Sequence, residues 1–337
     1  MSLRILVTGG GGFIGNWVCR LLRERGDEAV GFQRHDSELL RRLGIEQYRG
    51  DLLDAEAVVA AARGCHAVIH TAGKAGAWGA EADYQAVNVS GTEHVLAACR
   101  QAGVQRLVFT SSPSVVHGGG DIEGGDESLP YPDHFAAPYP RTKALAEQRV
   151  MAANGTDGLR TVSLRPHLVW GPGDNHLLPR LLERAGRGAL RLPGADKLID
   201  TVYIENAAAA HLQALDALDA NPACHGKTYF ISNGEPWPQR RIIAALLGAA
   251  GAEPDIRPMS PAVARAAGAA VEGLWRLARR RDEPPITRWA AEQLSTAHWY
   301  DIGAARRDLG YAPEISIEDG LERLRTWFRR GAPTGPA

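Results

Sequence analysis

The sequence is poor in lysine and cysteine and has no long apolar segment. Only four of its 38 basic residues are lysines, and its four cysteines are scattered with no Cys-x-x-Cys pair. This spacing argues against both a disulfide framework and a structural metal site. No run of 18 apolar residues occurs, so no membrane-spanning helix is expected.

The sequence also lacks an excess of charge of either sign. The 38 Lys and Arg residues nearly balance 39 Asp and Glu residues, for a net charge of -1, which argues against a nucleic-acid-binding surface. The N-terminus reads MSLRILV at residues 1–7, and its apolar run is too short for a signal peptide. We therefore expect a cytoplasmic globular protein without a nucleic-acid partner, and its 337 residues allow one large or two modest domains.

Short β-branched runs alternate with helical patterns in the first half of the chain. Helices are predicted over 16–25, 92–102 and 139–154. Strands are predicted over 4–8, 28–33, 47–51, 67–71, 106–110 and 161–165. This alternation predicts an α/β fold with a doubly wound parallel sheet of the Rossmann type.

The second half of the chain is less regular. We predict a turn at 170–174, helices over 207–218 and 238–247, and a strand over 227–232. Residues 1–175, with a contribution from 200–232, are expected to form the nucleotide-binding domain. Residues 176–199 and 233–330 are expected to form a smaller substrate-binding lobe, and 331–337 a flexible Gly/Pro-rich tail.

The segment 261–279 has the pattern of an amphipathic helix. Its polar face carries Arg265, Glu272, Arg276 and Arg279, and its apolar face carries Val263, Ala267, Val271, Leu274 and Ala278. We expect the apolar face to pack against the substrate lobe, since its alanines offer little area for insertion. The alternative is that 261–281 contacts a membrane surface or a pathway enzyme.

Gly9, Gly12 and Gly15 form a Gly-x-x-Gly-x-x-Gly pattern. Because the chain contains 38 glycines, chance alone yields about 0.5 such match, so the flanking strand and helix carry the argument. Between a strand and a helix, glycines permit a tight turn and the approach of a pyrophosphate to the helix N-terminus. Phe13 and Ile14 belong to the same predicted site. A glycine-rich turn without a ligand is the alternative.

The end of the second strand indicates which dinucleotide is bound. An acidic side chain there would bind the ribose 2′-hydroxyl of NAD, but the residue is Gln33, followed by Arg34. An arginine can pair with a 2′-phosphate, so we predict NADP(H), with NAD(H) as the alternative. Arg34 as a solvated surface residue, with Asp36 near it, is the competing interpretation. Asp51 and the adjacent Leu52 are expected near the adenine.

Tyr139 and Lys143 form a Tyr-x-x-x-Lys pair. With eight tyrosines and four lysines in 337 residues, chance predicts about 0.1 such pair. A spacing of four places both side chains on one helix face. Lys143, with an oxidised nicotinamide, is expected to lower the pKa of Tyr139 so that the phenol works as an acid or base.

Thr110, Ser111 and Ser112 follow a predicted strand of the sheet. They belong to the edge where doubly wound folds bind ligands, and a serine hydroxyl there can bind a substrate carbonyl. We favour Ser112 over Ser111 as the catalytic serine, with Ser114 as a further candidate for substrate contact. The alternative is that these serines only cap the strand end.

Taken together, these segments resemble the extended short-chain dehydrogenase/reductases over nearly the whole chain. The matching segments are TGGGGFIG at 8–15, TSS at 110–112, YPRTK at 139–143, RPHLVWGPGD at 165–174 and DTVYIEN at 200–206. The resemblance implies that Ser112, Tyr139 and Lys143 carry hydride-transfer chemistry. It also implies a homodimer paired through the helices bearing VNVSGT (87–92) and YPRTK.

The resemblance implies further residues that line the cofactor. These are Ala72, Gly73, Lys74, Pro166, His167 and Leu168. Asn88, in the VNVSGT segment, is expected to be structural rather than catalytic.

Departures from the family pattern narrow the substrate. Leu168 stands where nucleotide-sugar enzymes of the family carry asparagine, and Pro113 follows Ser112 where sugar dehydratases carry an Asp-Glu pair. The segments TSSPSV and APYPRTKALAE resemble the 3β-hydroxysteroid dehydrogenase branch instead. Within that branch, AGKAGAWG (72–79), SNGEPWP (232–238) and AHWYDIGAARRDLGY (297–311) look most like the bacterial 2-alkyl-3-oxoalkanoate reductases of long-chain olefin synthesis.

An apolar small-molecule substrate needs an apolar pocket with few polar groups. Trp78, Trp170 and Trp237 are candidates to line it, with ordinary loop packing as the alternative. Lys74 or His167 is a candidate to meet a substrate carboxylate. The histidines have no metal-like spacing, so no metal site is predicted.

Three functions compete on this evidence. The first is an NADPH-dependent reductase of a long-chain 2-alkyl-3-oxo acid, with Tyr139 as proton donor. The second is a 3β-hydroxysteroid or sterol dehydrogenase that uses NAD(P). The third is a non-catalytic NADP sensor, which the intact Tyr-x-x-x-Lys pair disfavours. A nucleotide-sugar epimerase is disfavoured by Leu168.

Overall fold

The computed structural model describes residues 2–280 and 282–331. Met1, Arg281 and residues 332–337 of the tail predicted at 331–337 lie outside this part. Fifteen strands are found in the described part. They are β1 Arg4–Thr8, β2 Glu28–Gln33, β3 Glu46–Arg49, β4 Ala67–His70, β5 Arg106–Thr110, β6 Ile122–Gly125, β7 Arg160–Pro166, β8 Val169–Trp170, β9 Leu190–Leu192, β10 Leu198–Ile199, β11 Val202–Tyr203, β12 Lys227–Ile231, β13 Trp237–Pro238, β14 Ile256–Pro258 and β15 His298–Tyr300.

Thirteen α-helices are found in the same residues. They are α1 Phe13–Arg25, α2 Glu38–Arg42, α3 Ala55–Ala62, α4 Glu81–Tyr84, α5 Gly91–Ala102, α6 Pro138–Ala152, α7 Leu177–Gly186, α8 Ile204–Ala220, α9 Gln239–Ala249, α10 Pro261–Leu277, α11 Arg288–Gln293, α12 Gly303–Leu309 and α13 Ile317–Arg329. A π-helical segment, Gln85–Ser90, leads into α5, and short 3₁₀ turns span Pro113–Val116, Thr156–Gly158 and Pro222–Cys224.

Seven parallel strands form the central sheet in the order β12-β7-β5-β4-β1-β2-β3. The chain moves outward from β1 in one direction through β2 and β3, and in the other through β4, β5, β7 and β12. The predicted doubly wound α/β fold is therefore confirmed. The carboxyl ends of β1 and β4 flank the point where the winding reverses, which is where such sheets bind ligands.

Alternate residues of the strands build a core on each face of the sheet. Ile5 and Val7 face a layer that includes α1 and α8, whereas Leu6 faces α3, α5 and α6. A strand buried on both faces needs a continuous apolar run, which explains the RILVT pattern of β1.

A third hydrophobic cluster lies in the second half of the chain. It joins side chains of α7, α9 and α13 to Trp170, Tyr203 and Ile204. The helix predicted from Pro238 begins one residue later, because Pro238 belongs to β13 and caps α9. The predicted domain boundaries stay a prediction.

The predicted orientation of α10 is wrong. Its buried residues are Ala264, Gly268 and Glu272, whereas Val263 and Leu274 of the expected inward face are exposed. Gly268 explains the difference, because a Cβ there would lie 2.9 Å from the backbone of Thr287 and Arg288, where α11 begins. Close helix packing therefore needs the small residue to face inward. No helix in the described residues is long and apolar enough to cross a membrane.

Candidate active site

The glycine loop forms a tight turn from β1 into α1. Gly9 has φ +73°, and a Cβ on Gly15 would overlap the Gly9 carbonyl oxygen. Gly12 caps α1 without a side-chain hydrogen bond, and the first turn of the helix holds no acidic residue. The amides around Phe13 and Ile14 therefore have no competing side-chain cap. This cradle fits a pyrophosphate at the positive end of the helix dipole.

Gln33 ends β2 beside this loop. Its amide nitrogen donates to Gln47 Oε1 (2.9 Å), while its own Oε1 is buried without a hydrogen-bond partner. That orphaned acceptor lies against Gly10 and Gly31, where a bound ribose hydroxyl could satisfy it. Arg34 is exposed and makes no ion pair within the described residues, so its guanidinium is available to an anion.

The neighbouring loop after β3 comes to the same edge. The amide of Gly50 donates to the Gln33 carbonyl (3.1 Å), which brings Asp51 beside the end of β2. The Asp51 carboxylate accepts the Leu53 amide (3.0 Å) and is otherwise exposed, whereas Leu52 is buried.

Asn88 joins the loop after β4 to helix α6. Its side chain accepts the Lys74 amide (2.7 Å) and donates to the Lys74 carbonyl and to Thr142 Oγ1, both at 3.0 Å. These bonds hold Ala72, Gly73 and Lys74 next to α6. A Cβ on Gly73 would lie 3.9 Å from Lys143 Nζ. These hydrogen bonds give Asn88 a structural role. It lies in the π-helical segment Gln85–Ser90, a type of irregularity that is frequent at functional sites.

Ser112, Tyr139 and Lys143 meet where β5 ends. Lys143 Nζ donates to the Thr110 carbonyl (2.5 Å) and lies 4.1 Å from the centre of the Phe109 ring. Ser112 Oγ is 2.9 Å from Ser114 Oγ and caps the 3₁₀ turn that follows it. Capping and substrate binding are compatible, because a hydroxyl can donate one bond and accept two. Ser111 is buried, and its backbone amide donates a hydrogen bond to the Leu164 carbonyl (2.6 Å).

Burial controls the protonation of this site. Desolvation raises the pKa of Tyr139, and a hydrogen bond with Ser112 opposes that shift. Desolvation lowers the pKa of Lys143 to about 7, and the nearby Glu147 carboxylate opposes it. The predicted lowering of the Tyr139 pKa by Lys143 is not seen in the chain itself, because the ammonium group points at the Thr110 carbonyl. A raised pKa keeps Tyr139 protonated at neutral pH, as a proton donor must be.

A buried ion pair lies one helical turn beyond Lys143. Arg165 Nη2 donates to Glu147 Oε1 (2.6 Å), and Tyr131 Oη donates to the same carboxylate oxygen (2.7 Å). Burial alone would raise the pKa of Glu147, but these bonds hold it below its usual value. A carboxylate ionised in this position keeps negative charge near Lys143. The Lys-x-x-x-Glu spacing in the sequence could have indicated this residue.

His167 has no free ring nitrogen for a substrate. Its Nδ1 lies 2.5 Å from Asp200 Oδ1, and its Nε2 lies 3.2 Å from His298 Nδ1. The hypothesis that it meets a substrate carboxylate is therefore not supported. Pro166 ends β7 just before it, and Leu168 just after it has φ +41°, a strained conformation for a branched residue. Lys74 Nζ is 3.4 Å from Asp83 Oδ2 and partly exposed.

Of the three predicted substrate tryptophans, only Trp78 stays a candidate. Trp170 is fully buried and donates to Thr201 Oγ1 (2.9 Å), so its assignment as a substrate residue is wrong. Trp237 packs on the third hydrophobic cluster and lies 3.5 Å below the Arg241 guanidinium, which is a packing role. Trp78 Nε1 donates to the Arg280 carbonyl (3.4 Å), which ties the loop after β4 to the end of α10.

The sequence analysis missed Trp289. Its ring centroid lies 6.2 Å from that of Tyr139, at an interplanar angle of 64°. Thr287 caps α11 by accepting the Ala290 amide (3.0 Å), and Glu272 of α10 accepts the Arg288 amide (2.7 Å) and the Arg288 Nε (3.0 Å). These contacts hold the Trp289 ring beside Tyr139.

Comparisons with known proteins agree with this geometry. The family model described as "3-beta hydroxysteroid dehydrogenase/isomerase family" matches residues 6–258. A "2-alkyl-3-oxoalkanoate reductase" of Stenotrophomonas maltophilia is 52% identical, covering 96% of this chain and 98% of that protein. A protein of the same name from Shewanella oneidensis is 44% identical, covering 95% and 84%. A "3 beta-hydroxysteroid dehydrogenase/Delta 5-->4-isomerase" of Mycobacterium tuberculosis is 37% identical, covering 96% and 90%.

Solved structures share the whole fold. The UDP-glucose 4-epimerase of Thermus thermophilus, solved in complex with NAD, is 27% identical with a TM-score of 0.75, covering 98% of this chain and 100% of that one. The predicted class, an oxidoreductase of the extended short-chain dehydrogenase/reductases acting on CH–OH or C=O groups, is confirmed. The chain thus belongs to the 3-beta hydroxysteroid dehydrogenase/isomerase family.

Proposed function

We propose that this protein is an NADPH-dependent reductase that converts a long-chain 2-alkyl-3-oxoalkanoic acid to the 2-alkyl-3-hydroxyalkanoic acid. The observation that carries the proposal is the meeting of Ser112, Tyr139 and Lys143 beside the apolar ring of Trp289. Half of the positions in the chain are shared with a relative named for this reaction. An apolar wall suits a substrate with long alkyl chains.

The residues present fit a nicotinamide dinucleotide. The glycine cradle at Gly9, Gly12 and Gly15 would hold the pyrophosphate, and the orphaned Gln33 Oε1 with Arg34 would hold the adenosine ribose and its 2′-phosphate. Lys143 would hold the nicotinamide ribose. When bound, the reduced nicotinamide supplies the hydride.

The protein's own groups would then handle orientation and the proton. Ser112 Oγ donates a hydrogen bond to the 3-oxo oxygen and orients it. The Tyr139 hydroxyl would give its proton to that oxygen when C3 is reduced, so that the product is the neutral alcohol and Tyr139 becomes a phenolate. Lys143 stabilises the phenolate left on Tyr139, and the Trp78 and Trp289 rings exclude water.

The alternative is a 3β-hydroxysteroid or sterol dehydrogenase using NAD(P). It is supported by the family name and by the 37% identical mycobacterial relative. The catalytic groups would be the same, and the reaction would run toward oxidation. A sterol's rigid rings would have to fit beside Trp289.

A cofactor assay separates these proposals. Purified protein is mixed with NADPH or NADH and a synthetic 2-alkyl-3-oxo acid, and absorbance is followed at 340 nm. In the reverse direction the stable 2-alkyl-3-hydroxy acid is used. We expect turnover that prefers NADPH and falls about 10²-fold or more in Tyr139→Phe. Full activity of this variant contradicts the assigned proton donor. No turnover here, with oxidation of a 3β-hydroxysteroid by NAD⁺, supports the alternative instead.

Two further expectations accompany the proposal. We propose a homodimer paired through α5 and α6, which sedimentation velocity tests directly. We also propose the cytoplasm as its compartment, where an NADPH-dependent reductase finds reduced cofactor. Fractionation of cells expressing the protein checks this second expectation.

A further inference from the structure

Helix α10 presents an apolar face to the outside of the protein. Val263, Leu274 and Leu277 are 57%, 60% and 83% exposed, and they are three of the six exposed large hydrophobic residues in the described chain. Three small residues, Ala266, Ala270 and Gly273, are exposed between them. At 100° per residue, all six project away from the buried line of Ala264, Gly268 and Glu272. A surface helix in water normally has the opposite arrangement.

The charges beside this face are positive. Arg265, Arg276, Arg279 and Arg280 are all exposed. The one acidic residue of the helix, Glu272, is buried and binds Arg288 of α11. Arg276 also pairs with Glu272 (3.2 Å). Two exposed acids follow the C-terminal end of the helix: Asp282 pairs with Arg280 and Glu283 pairs with Arg180, both at 2.5 Å. The arginines therefore exceed the exposed acids around the apolar face.

We propose that α10 is a docking surface for an anionic lipid bilayer. The helix would lie in the plane of the interface, with Val263, Leu274 and Leu277 entering the apolar layer and the bordering arginines meeting lipid phosphates. Charge complementarity favours this occupant over a second copy of the chain. A second α10 offers no exposed acidic side chain to these arginines.

The location of α10 links this surface to the active site. Its inner line packs on α11 through Gly268 and Glu272, and α11 carries Trp289 beside Tyr139. Trp78 contacts the end of the same helix. A protein seated on lipid through α10 would hold these aromatic residues close to the bilayer. The proposal concerns lipid binding and does not depend on the reaction that Tyr139 performs.

Vesicle flotation tests the proposal with the full chain. The protein is mixed with vesicles of phosphatidylcholine alone, or with 30 mol% phosphatidylglycerol added, at low and at high salt. The double variant Leu274→Glu/Leu277→Glu places charge on the exposed face without disturbing the buried line. Leu39→Glu is the matched control, because Leu39 is an exposed leucine (51%) on another helix.

We expect flotation with the anionic vesicles, a loss of at least tenfold in the double variant, and no loss in Leu39→Glu. High salt should weaken the binding, since arginines contribute to it. Absence of flotation with either vesicle overturns the proposal. So does equal binding by the wild type and the double variant. A dimer that dissociates in the double variant, without any vesicle binding, would assign the face to a second copy instead.

Discussion

The indole of Trp289 lies against the phenol of Tyr139, with the ring centroids 6.2 Å apart. The two residues come from helices that are distant in the sequence, α11 and α6. Trp289 is partly exposed, so its remaining surface is free to contact a substrate. We therefore expect Trp289 to contact the alkyl chain of a substrate whose carbonyl faces Tyr139.

Replacing Trp289 by alanine should therefore weaken substrate binding more than it slows the chemical step. An aromatic side chain buries 150–250 Å² in such a contact, so we expect KM for an alkyl-substituted 3-oxo acid to rise about tenfold or more. The kcat should change less. Trp289→Phe should recover most of the binding, because it keeps an apolar ring. Steady-state kinetics with short and long alkyl chains measure both values, and a KM unchanged in the alanine variant would remove Trp289 from the substrate site.

The orientation of Trp289 depends on Glu272. Its carboxylate accepts the Arg288 amide at the start of α11 and also pairs with the Arg288 side chain. Glu272→Ala leaves these donors without a buried partner, so α11 should open more often. We expect amide exchange in 288–293 to accelerate at least tenfold by mass spectrometry. Glu24→Ala, which removes an exposed pair with Arg20, is the control. Unchanged exchange in α11 would show that Glu272 does not hold it.

Arg34 should determine the choice between NADPH and NADH. A charge-assisted hydrogen bond to a 2′-phosphate contributes about 1.5–3 kcal/mol, which corresponds to roughly 10- to 150-fold in affinity. Arg34→Ala should raise KM for NADPH by such a factor and leave KM for NADH nearly unchanged. Arg42→Ala is the control, because Arg42 is also exposed but pairs with Glu38. An equal effect on both cofactors would make Arg34 a bystander.

The sequence predicted the sheet well, and it placed Tyr139 and Lys143 on one helix, because both features rest on local patterns. The catalytic roles of these residues stay a prediction. RILVT and the glycine loop are contiguous, and Tyr139 and Lys143 are one helical turn apart. Contacts between distant segments were not accessible in the same way. Trp289 contacts Tyr139 only because α11 packs beside α6. Trp170 belongs to a WGPGD motif that is typical of a loop, but it is held in a buried position by a hydrogen bond to Thr201 and a ring contact with Tyr203. The inward face of α10 is decided by Gly268, whose importance depends on a neighbouring helix.

Buried histidines should make the protein sensitive to acid. Desolvation lowers the pKa of His70 and His298 to about 3 and that of His117 and His211 to about 4. The unfolded chain, with histidines near pKa 6.5, then binds more protons than the folded one between pH 6.5 and these values. Stability is therefore fully present above pH 6.5 and is lost as the pH falls.

Each histidine should contribute a loss of about 1.4 kcal/mol by pH 5.5. Urea unfolding at several pH values between 7 and 5.5 measures the slope. His211→Gln should reduce this slope, whereas the exposed His134→Gln should not. The same slope in the wild type and in His211→Gln would contradict a buried neutral His211.

The buried charge of Lys143 should destabilise the folded protein. Burial lowers its pKa from 10.5 to about 7, so the folded protein binds this proton more weakly than the unfolded chain. Between pH 7 and 10.5 the unfolded state holds the proton and the folded state has lost it. The free energy of unfolding should therefore rise with pH in this window by about 1.4 kcal/mol per unit. Lys143→Met lacks this dependence, so its stability relative to the wild type should be highest below pH 7.

In the difference between the unfolding free energies of the wild type and Lys143→Met, the contributions of all other titrating groups cancel. Urea unfolding at pH 7.5, 8.5 and 9.5 should show the relative stability of Lys143→Met decreasing steadily, whatever its value at the first pH. Lys227→Met, which removes an exposed lysine, should show no such trend. A flat difference for Lys143→Met would mean that Lys143 stays protonated in the fold. A sloping difference would show that the fold opposes the charge of Lys143, as its burial predicts.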